Sequence, residues 1–295
     1  MNILICGANG FVGRHLAQSL RNSGHRIIRG VRRPTQPDDI AMDYCTDTRM
    51  EVWLPRLADV SVVVNVVGVL RDRANKPMAK LHDETPQALF SACAESGVER
   101  IVHISALGVG AGIDTPYFNT RQTTETSLSN LPDSVRRLVL RPSLIYGQDG
   151  ASARMLRLLA SLPLHIVPAG SEQPMQPVHI DDICHAVALW LSDPNAESQT
   201  VAAVGLEPAT LRELLDDYRM QLHRPPAFHL EAPAILARLA ARMGDHIPSS
   251  PLCSDTLTML LAGNSADKTD FSNLLGRPPK SYRHFIKQGT DDAPR

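Results

Sequence analysis

At 295 residues the chain is long enough to bury a large core in one or two domains. Hydrophobic content of 43% and charged content of 21% are ordinary for a globular protein, and a formal net charge of −1 supplies no long-range field for nucleic acid or an anionic membrane. Aromatic residues at 4% also argue against a base-stacking platform, so a nucleic-acid partner is not expected.

The chain opens on a short apolar run, Asn2 to Cys6, that reads as a strand. Gly7-Ala8-Asn9-Gly10-Phe11-Val12-Gly13 follows at once, and Arg14 to Asn22 reads as a helix with Leu16 and Leu20 one turn apart. Gly24-His25 closes that helix, and Arg26 to Val31 reads as a second strand. Strand, glycine turn, helix and strand within about 30 residues is the setting of a dinucleotide fingerprint. Gly7 permits the tight turn, Gly10 lets backbone approach a pyrophosphate, and Gly13 allows close helix–strand packing. The amides of the helix start then face the negative charge. Gly7, Asn9, Gly10, Phe11, Val12 and Gly13 are therefore assigned to a dinucleotide cofactor. No basic-then-apolar leader precedes the first strand, and no apolar run approaches the ~20 residues of a bilayer span, so a cytoplasmic protein without a membrane span is expected.

Val31-Arg32-Arg33-Pro34 ends the second strand. An acid here would accept hydrogen bonds from the adenosine ribose and repel a 2′-phosphate. Arg32 and Arg33 stand there instead, and a guanidinium pairs well with phosphate, so NADP(H) is expected over NAD(H). Thr35 to Asp39 reads as a loop and Ala41 to Tyr44 as a short third strand. Val60 to Val67 is strongly β-branched without polar alternation, which predicts a central parallel strand buried on both faces. Lys80 to Ser96 carries apolar residues in helical phase, with Gly97 as a stop. Arg100 to Ile104 is the next strand, and Ser105 lies at its carboxyl end, where open α/β sheets bind ligands. Tyr117, Arg121 and Glu125 follow one helical turn apart, and Arg136 to Arg141 is another strand, running into Pro142 and Ser143. This alternation predicts an α/β fold: a Rossmann-type doubly wound parallel sheet.

Past Gln148 the regularity weakens. Helices are predicted over 155–162, 183–191, 210–222, 232–243, 254–261 and 270–275, with one strand over 200–204. The domain expectation is residues 1–147 for the dinucleotide and residues 148–295 for a smaller mixed α/β C-terminal lobe, interleaved with the first. The five cysteines are odd in number and scattered, which fits a reducing compartment, and Cys6 and Cys184 read as core residues. No metal site is expected. His179 and His185 are six apart, off one helix face. In the pairs Asp38-Asp39, Asp181-Asp182 and Asp216-Asp217 the neighbours point apart, so paired acid/base work is not expected either.

The wide Gly-x-x-Gly-x-x-Gly spacing resembles the short-chain dehydrogenase/reductase superfamily, in particular its extended and atypical members. The resemblance implies that Asp43 reads the adenine amino group. It also implies that Val67 and Gly68 pass beneath the cofactor, Gly68 letting the backbone come near the ribose. The family uses Ser, Tyr and Lys in a Tyr-x-x-x-Lys signature; this chain has Tyr117-Phe118-Asn119-Thr120-Arg121. Carried over by position, Tyr117 is the acid/base, Ser105 the oxyanion partner and Arg121 the charge and ribose clamp. Arginine supplies a permanent charge but cannot lose a proton as lysine can, so an electrostatic role survives and a proton relay does not. Glu125 is expected to pair with Arg121. Arg141-Pro142-Ser143 with Tyr146-Gly147 resembles the segment that meets the nicotinamide amide, which assigns Pro142 and Ser143 to the cofactor. Val178 to Asp182 resembles the segment tying the small lobe to the sheet. The pattern is most similar to the atypical branch containing the 39-kDa accessory subunit of respiratory complex I, and Leu275 to Pro279 looks like the ending of epimerase/dehydratase-like proteins.

Two readings follow. The first is an NADP(H)-binding oxidoreductase of epimerase or dehydratase type acting on an unidentified small-molecule carbonyl or alcohol. The alternative is a catalytically silent NADP(H)-binding redox sensor, or a respiratory-complex accessory or assembly protein that meets a protein partner through its C-terminal lobe.

Overall fold

Strands without polar alternation must be covered on both faces, and their sequence order then follows from helices crossing above and below. The computed structural model describes residues 1–247, 250 and 252–286; residues 287–295 of the expected C-terminal lobe lie outside the described residues. In chain order the first stretch runs β1 (Asn2–Cys6), α1 (Phe11–Asn22), β2 (Arg26–Val31), β3 (Asp39–Ala41), α2 (Met50–Trp53), β4 (Val62–Asn65), α3 (Thr85–Ser96), β5 (Arg100–Ile104), α4 (Pro116–Ser129) and β6 (Arg136–Pro142). Then come β7 (Ile145–Tyr146), α5 (Ala151–Ser161), β8 (Leu164–Pro168), β9 (Val178–His179), α6 (Ile180–Ser192) and β10 (Gln199–Ala203). The last stretch holds α7 (Leu211–Gln221), β11 (Phe228–Ala232), α8 (Ala234–Asp245), α9 (Ser254–Ala262) and α10 (Thr269–Leu275).

One compact unit comprises Met1–Pro142, Ile180–Ala203 and Asn273–Gly276. Its seven-stranded sheet has the order β10-β6-β5-β4-β1-β2-β3, and every pair in it is parallel. The order reverses at β1 and β4, which run side by side with Ile3 opposite Val62 and Cys6 opposite Asn65. That reversal is the switch point at which doubly wound sheets open a crevice beyond their carboxyl ends. Ile3, Leu4, Ile5, Val62, Val63, Val64, Ile101 and Val102 are wholly buried. Burial pushes the Cys6 and Cys184 thiols up to about 12, as expected of inert core residues.

The second unit comprises Ser143–His179, Val204–Ser272 and Arg277–Arg295. It holds two small parallel ladders, β7 with β9 and β8 with β11, and a core around Tyr146, Leu156, Leu214 and Tyr218. Thr210 caps α7 in a reciprocal box with Glu213. No helix of the described residues is long and apolar enough to cross a membrane.

Several predicted elements are corrected. The third strand is Asp39–Ala41, not 41–44, because Asp39 ties the preceding loop by accepting the Thr35 and Gln36 amides while ion-pairing with Arg29. The central strand is Val62–Asn65, shorter than 60–67: the Val60 amide closes a turn onto Leu57, and the Asn65 side chain takes the Val67 amide off the ladder. The helix predicted from Lys80 begins as a π-helical turn, Lys80–Glu84, before α3, whose first turn carries Pro86 in a position that needs no N–H. Strands β8 and β11 were not predicted at all.

Candidate dinucleotide site

The glycine turn after β1 is built as a cradle. Gly7 has φ +87°, and its carbonyl accepts the Gly10 amide at 2.9 Å. A Cβ on Gly13 would lie 2.2 Å from the Gly7 carbonyl oxygen and 2.9 Å from the Ala8 Cα, both unyielding backbone atoms. Gly10 is the N-cap of α1 and, having no side chain, leaves the helix start without a side-chain cap; no acid occupies the first turn. Phe11 and Val12 open the helix, so their amides lie among those a helix N-terminus presents to an anion. Asn9 accepts a hydrogen bond from Arg29 of β2. A cavity of about 340 Å³ beside the turn is lined by Asn9, Arg14, Arg21, Arg29 and Gln36 among others. Arg32 and Arg33 follow β2 as exposed residues in a bend. Arg29, inside β2, was not singled out in the sequence although it lines this cavity.

Asp43 lies in a turn rather than at a strand end, and its Oδ1 accepts the Cys45 amide at 2.9 Å. At the end of β4, Asn65 is fully buried and accepts the Tyr44 hydroxyl at 3.0 Å and the Val67 amide at 3.2 Å. Gly68 follows, and a Cβ there would come 2.4 Å from an Arg121 guanidinium nitrogen.

Arg121 is the residue this part of the unit closes around. Only 6% exposed, it donates from Nη1 to the Ile104 carbonyl at 2.9 Å. Its guanidinium carbon lies 4.8 Å from the Tyr117 ring centroid, within cation–π range. Its Nε is buried without a hydrogen-bond partner. His82, which the sequence reading missed, packs edge-on to Tyr117 with ring centroids 5.6 Å apart. The Val69 amide donates to His82 Nε2 at 2.9 Å, which assigns the ring proton to Nδ1, 3.3 Å from the Thr120 hydroxyl. Burial, then the Arg121 charge, then His103 lower the His82 pKa to about 2; burial and Arg121 lower that of His103 to about 3. Nothing in the Lys80–Glu84 stretch marked His82 beforehand.

The structure therefore brings Gly68, His82, Tyr117 and Arg121 together. Ser105 is engaged elsewhere: 3% exposed, it donates its hydroxyl proton to Glu125. The expected pairing of Glu125 with Arg121 is corrected. Glu125 takes a bidentate bond from Arg141 of β6, with Nε at 3.1 and 3.0 Å from the two carboxylate oxygens and Nη2 at 2.5 Å. Helical spacing put Arg121 in reach, but parallel β5 and β6 carry Ser105 and Arg141 to the buried side of α4, where the carboxylate needs compensation more. Pro142 ends β6 and its carbonyl accepts the Leu107 amide at 2.9 Å. Ser143 belongs to the second unit and donates to the Asn264 carbonyl at 3.1 Å.

His165, Asp216 and His229, remote in sequence, converge in the second unit.

A parallel sheet reversing at β1 and β4, with a side-chain-free cradle at the reversal, defines a Rossmann-type dinucleotide-binding protein. The chain belongs to the NAD dependent epimerase/dehydratase family, whose model matches residues 3–205. It is 24% identical over 217 residues to the rat mitochondrial NADH dehydrogenase [ubiquinone] 1 alpha subcomplex subunit 9, covering 68% of this chain and 56% of that protein. The chain thus spans little more than half the length of such relatives. By fold it is similar to a Staphylococcus aureus nucleoside-diphosphate-sugar epimerase, with a TM-score of 0.78, 17% identity and coverage of 98% and 100% of the two chains. It is also similar to a human epimerase family protein solved with NADPH, with a TM-score of 0.72, 20% identity and coverage of 97% and 99%. NAD or NADP is the cofactor typical of this family.

Proposed function

We propose that the protein binds NADP(H) in the glycine cradle and acts as an oxidoreductase of epimerase or dehydratase type on a carbonyl or alcohol. The observation that carries this reading is the buried Arg121 guanidinium, stacked on Tyr117 and left with an orphaned Nε beside Gly68. The chain's own features fit the cofactor: a Cβ would fill the cradle at Gly13, and α1 starts without a side-chain cap or an acid. In this proposal Gly7, Asn9, Gly10, Phe11, Val12 and Gly13 hold the pyrophosphate, Arg14, Arg32 and Arg33 meet the 2′-phosphate, and Asp43 reads the adenine. Val67 and Gly68 lie under the ribose, and Pro142 and Ser143 meet the carboxamide. The bound nicotinamide supplies or accepts the hydride. Tyr117 exchanges a proton with the substrate oxygen, and the Arg121 charge stabilises the negative charge that develops there while its Nε clamps the ribose. Ser105, its proton committed to Glu125, acts as a positioning residue for the strand end and not as the oxyanion donor. The 148–295 lobe carries substrate recognition, and the cytoplasmic location is part of the same proposal.

Oxidation of NADPH, followed by absorbance across a carbonyl panel, tests this. Turnover lost in Tyr117→Phe with NADPH affinity retained supports the enzyme. A second reading, a silent cofactor-binding accessory protein, is favoured by two features: the committed Ser105 hydroxyl, and the exposed Ile235, Leu236, Leu239 and Met243 of α8. Tight NADPH binding without turnover, insensitive to Tyr117→Phe, supports that reading instead.

A further inference from the structure

In the second unit β8 and β11 pair in parallel with His165 directly opposite His229. Parallel partners in register share a face. Leu164, Ile166, Phe228 and Leu230 point the other way and are 41%, 58%, 80% and 53% exposed, whereas His165 is 2% exposed. Asp216, on α7, closes the histidine side. Its Oδ1 lies 3.3 Å from His165 Nδ1 and 3.2 Å from His229 Nε2, and one ligand atom from each residue lies within 4.8 Å of the others. Arg219, one turn along α7, fixes the helix by donating to the carbonyls of Ala160 at 3.0 Å and Leu162 at 2.7 Å, just before β8, and to that of Pro225, just before β11.

We propose that His165, Asp216 and His229 form a binding site for a divalent first-row transition metal ion. The decisive feature is the buried imidazole. His165 Nε2 faces the Ala160 carbonyl at 3.4 Å, the backbone partner that holds the proton on that nitrogen in metal-ligating histidines. Its Nδ1 then presents a lone pair toward the Asp216 carboxylate. Although only 3.3 Å away, it makes no hydrogen bond there. Two electron-rich atoms, one on a buried imidazole and one at the edge of a cleft, aimed at one point repel unless a cation lies between them. His229 Nδ1 is likewise buried without a hydrogen-bond partner. The two ligand edges to Asp216, 3.2 and 3.3 Å, are close to the edge of about 3.4 Å in a tetrahedron with bonds of about 2.1 Å.

Two imidazoles and one carboxylate suit zinc or its neighbours and not magnesium or calcium, which require oxygen sets. The Asp216 and His229 side chains, 42% and 19% exposed, face an open cleft of about 520 Å³, so a fourth position is free for water or an exchangeable ligand. The ion ties two strands and a helix together at a face whose other side is bare to solvent.

The test uses the full chain without a polyhistidine tag, stripped with chelator and titrated with Zn²⁺ by calorimetry against a competing chelator. Wild type should bind one equivalent with submicromolar affinity. Bound Co²⁺ should give the intense visible bands of a four-coordinate ion, and Mg²⁺ should not compete. His229→Gln and Asp216→Asn, both at the accessible edge, should each weaken Zn²⁺ at least ~100-fold, beyond what changes outside the ligand set do. NADPH binding should be unchanged in both. Wild type that takes up no stoichiometric Zn²⁺ at micromolar concentrations overturns the proposal whatever the variants do. Zinc binding that both variants retain, or that Mg²⁺ matches, also overturns it.

Discussion

Glu125→Gln tests the arrangement that separates Ser105 from Tyr117. Glu125 is 7% exposed and carries the only carboxylate shown bonding to both the Ser105 hydroxyl and Arg141 among the described residues. Removing one member of a buried ion pair costs about 3–5 kcal/mol, because the partner is left charged and unpaired. Two features reduce that figure: the Arg141 side chain is 32% exposed, and glutamine keeps one acceptor oxygen. A loss of roughly 2–3 kcal/mol is therefore expected, lowering Tm by about 4–12 °C. Trp53 and Trp190 are both buried in the first unit, so urea unfolding followed by tryptophan fluorescence reads the affected unit directly. The slope against urea should stay constant while the midpoint falls. Glu125→Leu combined with Arg141→Met, which removes both charges, should recover part of the loss. A Glu125→Gln effect under about 0.5 kcal/mol, the range of a plain surface change, would refute the reasoning.

Gly13→Ala places a methyl 2.2 Å from a backbone oxygen, so it should cost about 1–3 kcal/mol and abolish NADPH binding; a variant with wild-type stability and affinity contradicts the close packing. Replacing Arg14, Arg32 and Arg33 together by alanine should weaken NADPH roughly 10–100-fold by calorimetry while leaving NADH within about 3-fold, and equal losses count against a 2′-phosphate clamp. His82 and His103 have native pKa values of about 2 and about 3, below the unfolded 6.5, so both fold neutral. The unfolded chain binds their protons first. Their contribution is thus complete above about pH 6.5 and falls as pH drops toward 3, by about 1.4 kcal/mol per pH unit for each histidine. His82→Gln should make the stability curve shallower between pH 6 and 4 than in wild type, and an unchanged slope shows that His82 is not buried neutral.

What the sequence revealed was whatever depends on neighbours along the chain. The β1–turn–α1–β2 stretch was readable because glycine spacing, apolar runs and helix phase all act within 31 residues. The Gly97 stop, at φ +74°, is equally local. Interactions across the fold were not readable. Glu125 was given Arg121 because helical spacing is visible in sequence, whereas Arg141 reaches it only once β6 lies beside β5. Strands β8 and β11 are five residues each, flanked by proline or interrupted by polar side chains, and neither shows a period long enough to register. His165 and His229 were therefore not singled out, and their convergence on Asp216 is a product of strand register and of the packing of α7.

The most direct measurement is calorimetric titration of NADPH and NADH into the wild-type chain and into Gly10→Glu, with circular dichroism confirming that both are folded. Gly10 heads α1 where a phosphate would sit, so a glutamate there adds both bulk and negative charge. Saturable one-to-one binding of NADPH by wild type, stronger than that of NADH and lost in the folded variant, is the predicted result. An absence of heat at millimolar nucleotide, or a variant that binds as wild type does, would contradict a dinucleotide seated on the glycine turn.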